Sequence, residues 1–132
     1  MQRHTSLSRD ARLHVAEARL FYARFAREMD SHDPDAAVIM LFLSALHLVQ
    51  AHAVRASKRP GAPAPPTVHT DGAEYAQQHL GTIAVGYRRL QFASEGARYE
   101  LVRHSVEQAR EPEDGFLRIR ENLRGRDAAW DD

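Results

Sequence analysis

The sequence contains no cysteine, which excludes a disulfide framework, a thiolate metal site and a cysteine nucleophile. Lysine is nearly absent as well: Lys58 is the only one, so the remaining basic side chains are arginines. Charge of one sign is not in excess, because 18 basic residues balance 18 acidic ones. No general electrostatic drive toward nucleic acid or an anionic membrane follows from that balance, and any such binding would require a local patch. The first ten residues lack the apolar core of a secretory leader, and a cytoplasmic location is expected. There is no glycine-rich phosphate loop and no G-x-S-x-G elbow, so serine-hydrolase chemistry has no support around Ser44, Ser94 or Ser105. Sustained strand alternation and internal repeats are also missing.

What is present is hydrophobic periodicity of one kind. With 43% hydrophobic residues in 132 positions the chain can fill one core, and a single domain over 1–132 is expected. Ala11, Val15, Ala18, Tyr22, Phe25 and Met29 recur at spacings of three and four, which predicts a helix over about 8–29 with Arg12, Glu17, Arg19, Arg24 and Arg27 on its solvated side. Asp33 followed by Pro34 reads as an N-cap and a first helical residue, opening a second helix over about 34–56. Residues 57–68 carry most of the prolines and read as an extended loop. A third helical stretch over 71–98, interrupted or bent near Gly81, shows Ile83, Tyr87, Leu90, Ser94 and Ala97 at helical spacing. A fourth over 112–124 is placed by Pro112 at its start and Gly125 at its end, with Phe116, Ile119 and Leu123 on one face. The fold class expected is all-α, a four- to five-helix up-and-down bundle. Ala36 to Val54 is long and uncharged enough to cross a membrane. Its Ser44, His47, Gln50 and His52, and the missing aromatic belt, favour a central core helix and no membrane.

Eight histidines are the first place to look for chemistry. No two of them stand three or four apart, the spacing that places two ligands on one helix face, so no metal site and no cofactor are expected. His47, within the most apolar helix, reads as a core histidine with a hydrogen-bond partner. Asp30, Asp33 and Asp35 cluster where a helix begins, and their negative charge complements its dipole.

Two stretches carry a resemblance. On the second helix the text runs Ser44-Ala45-Leu46-His47-Leu48-Val49-Gln50-Ala51-His52; on the third it runs Tyr87-Arg88-Arg89-Leu90, then Ser94, then Ala97-Arg98-Tyr99. Together they resemble bacterial HEPN-domain proteins, over about Val38 to Tyr99. The resemblance implies a HEPN-like helical bundle, a homodimer, and either metal-independent ribonuclease activity in toxin–antitoxin or phage-defence settings or an inactive, nucleotide-binding role. It also implies a candidate partner, a nucleotidyltransferase protein.

The family's ribonucleases carry an Arg and, a few residues on, a His that moves protons while the Arg steadies phosphate charge. Here His69 falls on the His of a Ser-His-x-x-Arg segment, but Val68 replaces the Ser and Gly72 the Arg. The looser Arg-to-His spacing occurs at Arg9 and His14, Arg27 and His32, and Arg98 and His104, about as often as random placement gives. Arg98 and His104 are the candidate catalytic pair. His47, His69, Ser94, Arg98 and Tyr99 are the candidate binding residues. The favoured reading of four of these is structural: His47, Ser94, Arg98 and Tyr99 would bond one another and fix the second helix against the third. The expectation is therefore a binding or accessory component with a degenerate ribonuclease motif; an active metal-independent endoribonuclease and a structural partner-binding protein are the alternatives.

Overall fold

The computed structural model describes residues 2–57, 61, 69–99 and 103–126, with side chains described over 10–57, at 61, and over 72–99 and 103–125. Five α-helices account for nearly all of it: α1 (Gln2–Asp30), α2 (Pro34–Ala56), α3 (His69–His79), α4 (Gly81–Tyr99) and α5 (Val106–Arg126). No strand occurs among the described residues. The chain is an all-α helical bundle.

The α1 stripe behaves as its spacing requires. Ala11, Val15, Ala18, Phe25 and Met29 are buried, and they meet α2 along the most extensive helix pairing in the molecule. His32 turns the chain with a left-handed φ of 57°. Asp33 then caps α2 by accepting a hydrogen bond from the Ala36 amide at 3.2 Å, with Pro34 in the first turn where its missing N–H costs nothing.

α2 is the central element and touches all four other helices. Its length and apolarity would suit a membrane span, yet 61% of that window is buried inside the bundle, the arrangement of a core helix. Leu41, Phe42, Ala45, Leu48 and Val49 are all shielded from solvent, so the hydrophobic content that made the segment conspicuous is consumed by packing.

Helix bounds differ from those the sequence suggests at several ends: α1 begins at Gln2 rather than near residue 8, α3 at His69 rather than 71, and α5 before Pro112. Of the interruption or bend expected near Gly81 the structure shows an interruption: two helices are separated at Leu80, which is fully buried and whose carbonyl accepts from the Ile83 amide at 2.9 Å. α5 starts six residues before Pro112, which lies inside it. The reason is a reciprocal cap: Ser105 Oγ accepts from the Gln108 amide at 3.1 Å while Gln108 Oε1 accepts from the Ser105 amide at 2.9 Å. Gly125 stays within the helix, which runs to Arg126.

Close packing around α4 has one further consequence. Tyr87 is fully buried, and its hydroxyl lies over Gly72 so closely that a Cβ there would meet the oxygen at 2.7 Å. The absence of a side chain at Gly72 is what lets α3 lie on α4.

Candidate functional site

Among the described residues, two hollows on the bundle surface differ in chemistry. The first lies among α1, α2 and α5, with a volume of about 430 Å³. Tyr22 and Phe116 stack at 5.1 Å between ring centres, nearly parallel, and form one wall. Arg120 lies over both, 5.2 Å from the Tyr22 ring and 5.9 Å from that of Phe116. Arg19 and Arg124 complete the lining with Ser44 and Leu48, and no carboxylate lines it. Ser44 is turned away from any ligand role, because its hydroxyl donates to the Ala18 carbonyl at 2.6 Å. Behind the rings, the Tyr22 hydroxyl donates to Glu113 Oε2 at 2.8 Å. Burial, then that hydrogen bond to a carboxylate, raises the Tyr22 phenol above its ordinary value, so it stays a donor.

The periodicity of α5 builds this groove. Phe116, Arg120 and Arg124 follow one another at four-residue intervals and share a face, and Arg19 stands three residues before Tyr22 on α1. The aromatic members are legible in the sequence as packing residues. Their combination with arginines from a distant helix is not, because it depends on how α5 returns against α1.

The second hollow, of about 740 Å³, lies between α4 and α5. Its floor is apolar, with Ile83, Leu90 and Ile119, and its rim mixes Arg89, Arg103 and Arg118 with Glu111 and Asp114. His104 stands at one end. Its Nδ1 lies 3.0 Å from Asp35 Oδ1, and the same carboxylate oxygen accepts from the His104 amide at 2.8 Å. Arg103 approaches Asp35 Oδ2 at 3.5 Å. Burial pushes the Asp35 carboxyl up, but the hydrogen bonds from the His104 ring and amide, and from Arg103, outweigh it and hold the group below its ordinary value. Asp35 thus does more than complement a helix dipole: it clamps the segment that leads into α5.

The candidates drawn from the sequence are dispersed. His104 lines the α4–α5 cleft, but Arg98 does not; Arg98 is exposed and lies 4.9 Å over the Tyr99 ring. Ser94 is buried with its hydroxyl unpartnered, so it bonds neither His47 nor Arg98. His47 belongs to the α1 side of α2, where its Nδ1 lies 3.0 Å from that of His14 and its ring stacks on Phe21 at 5.6 Å. α2 and α4 do pack together, through Phe42 against Tyr87 rather than through the polar set. His69 opens α3, and its side chain lies outside the described residues. No group of three or more His, Asp or Glu placed to hold a metal occurs among the described residues.

No family model matches the chain, no curated protein matches it, and no solved structure matches it.

Proposed function

We propose that this protein is a binding component that takes single-stranded RNA or a nucleotide in the groove among α1, α2 and α5, as an accessory of a toxin–antitoxin or defence system. The observation that carries the binding is the lining: Arg19, Arg120 and Arg124 with the stacked rings of Tyr22 and Phe116, and no carboxylate among them. Arginine's planar fork suits phosphate, and aromatic rings beside it suit a base. The groove's volume is of the size that small-ligand sites have. The whole chain is neutral, so attraction for an anion has to be local, and the lining of this groove includes three arginines and no carboxylate. The system in which it acts rests on the HEPN resemblance alone.

Fluorescence anisotropy with a short single-stranded RNA at low salt is the test. Saturable binding that weakens with added salt and is reduced in Arg120→Ala supports the reading. Salt-independent binding, or none, removes it.

A second reading, a metal-independent endoribonuclease, is favoured by the pairing of His104 with Asp35. A carboxylate on Nδ1 fixes the ring and leaves Nε2 to exchange a proton with substrate in the α4–α5 cleft. It predicts RNA cleavage that survives EDTA and is lost in His104→Ala.

A further inference from the structure

The α4–α5 cleft is kept open by a glycine that nothing else explains. Gly115 stands well inside α5, where glycine weakens a helix relative to alanine. Its φ is not left-handed, so the backbone does not require glycine there. A Cβ built on it meets nothing within 4 Å, so close packing does not require it either. Gly81 and Gly125 share that open surrounding but stand near helix ends. What glycine does at position 115 is leave the cleft unfilled.

The cleft is a trough with a polar closure at each end. His104 is tied to Asp35 at one end, and at the other Asn122 Nδ2 donates to Thr82 Oγ1 at 3.5 Å. That second contact, with Gly86 lying against Ile119, sets α4 and α5 antiparallel. From Thr82 to Ala93 the helix rises about 16 Å, the span of four or five extended peptide residues. Charges are sorted along this rim. Glu111 and Asp114 lie toward His104, while Arg118 and the facing Arg89 lie beyond them, toward Thr82. Arg118 stands one turn after Asp114, a spacing that permits an ion pair. Yet none of these four charged groups makes an ion pair or hydrogen bond among the described residues.

We infer that this cleft binds a short peptide with free termini and apolar side chains, about three residues long. The side chains cover the floor of Ile83, Leu90 and Ile119, the terminal ammonium meets Glu111 and Asp114, and the terminal carboxylate meets Arg89 and Arg118. Seven residues of α5 separate Glu111 from Arg118, about 10 Å of helix, and three extended residues cover the same distance. Pro112 lines the cleft and has no N–H to give the Gln108 carbonyl; a peptide N–H supplies that donor. A simple anion would leave the two acids without counter-charge, and a simple cation the two arginines. The proposed RNA groove is a separate hollow, whereas the ribonuclease reading uses this same cleft, so competition by RNA separates the two.

Equilibrium dialysis of the full chain against tritiated trileucine tests this, with circular dichroism confirming that each variant keeps its helices. The wild type is expected to bind trileucine saturably. Triglycine, which lacks side chains, and trileucine blocked at both termini should each bind at least about tenfold more weakly. Gly115→Leu fills the trough and is expected to weaken trileucine about 100-fold. Arg118→Ala, an exposed change that leaves the floor intact, should weaken trileucine about tenfold and leave the blocked peptide unaffected. A wild type that does not retain trileucine overturns the inference, as does a folded Gly115→Leu that retains it equally well. Equal affinity for the blocked peptide overturns recognition of the termini. Displacement of trileucine by a short single-stranded RNA assigns the cleft to RNA and overturns it as well.

Discussion

The groove among α1, α2 and α5 and the cleft between α4 and α5 share one helix and diverge in charge. In the groove three arginines surround two stacked rings with no acid among the lining residues; in the cleft arginines alternate with Glu111 and Asp114, and the histidine is tied to Asp35. A chain with zero formal charge can therefore still sort its charges by face. Which face an anion prefers is decided by local segregation, not by the sum.

The comparison is broken most severely at Phe116, which is core to the bundle and wall to the groove. Phe116→Ala is expected to lower stability by about 3–5 kcal/mol through the cavity it leaves, measured by urea denaturation. It should damage the groove more than the cleft. A change far below that range would mean that the stacked Tyr22–Phe116 wall collapses to fill the space.

A substitution remote from both hollows sharpens the contrast. Gly72→Ala pushes a methyl group against the Tyr87 hydroxyl and should cost about 1–3 kcal/mol, the range for overpacking a filled core. Tyr87→Phe removes that buried, unpartnered oxygen, so in its background the same substitution should be tolerated much better. Equal losses in the two backgrounds would show that the oxygen is not the obstacle.

Arginine replacements compare the hollows directly. Arg120→Ala should weaken RNA binding about tenfold and lower the salt dependence by about one phosphate contact. Arg118→Ala, on the cleft, should do so by a smaller factor. The reverse order would move the binding site to the α4–α5 cleft.

Acid should act on the molecule in two ranges. Desolvation lowers the pKa of His14 below its ordinary 6.5, although Asp10 and Glu17 pull the other way. The unfolded chain thus takes up a proton first, and stability is full above about pH 6.5 and declines as pH falls through the folded value. Asp35 is also depressed, so its contribution is complete above the ordinary 3.8 and is lost only as pH falls through a still lower value. Denaturation midpoints against pH should show the first decline removed in His14→Gln and the second in Asp35→Asn. A single, unchanged acid transition in both variants would contradict this assignment.

Much of the bundle was legible because its helices carry local signals. Asp33 and Pro34 announce α2, and the α1 stripe is continuous from Ala11 to Met29. The start of α5 was misplaced because Pro112 outweighed Ser105 and Gln108, whose reciprocal cap is equally local but less conspicuous. Sequence signals place an interruption or a bend near Gly81 without deciding between them, because a buried leucine gives no sign that its neighbours leave the helical path. Sites fared worse. His47 was expected to face Ser94 and Arg98, yet it meets α1, since a residue on a helix surrounded by others can face any of them.

The sequence by itself determined the helical class, the buried character of α2 and the turn at Asp33, because periodicity and capping act within one or two turns of chain. Tertiary structure decided that Arg120 lies over Tyr22 and that Asp35 holds His104, contacts between residues more than sixty positions apart. Such pairs depend on how whole helices pack against α2, and packing is settled by the fit of all the faces together.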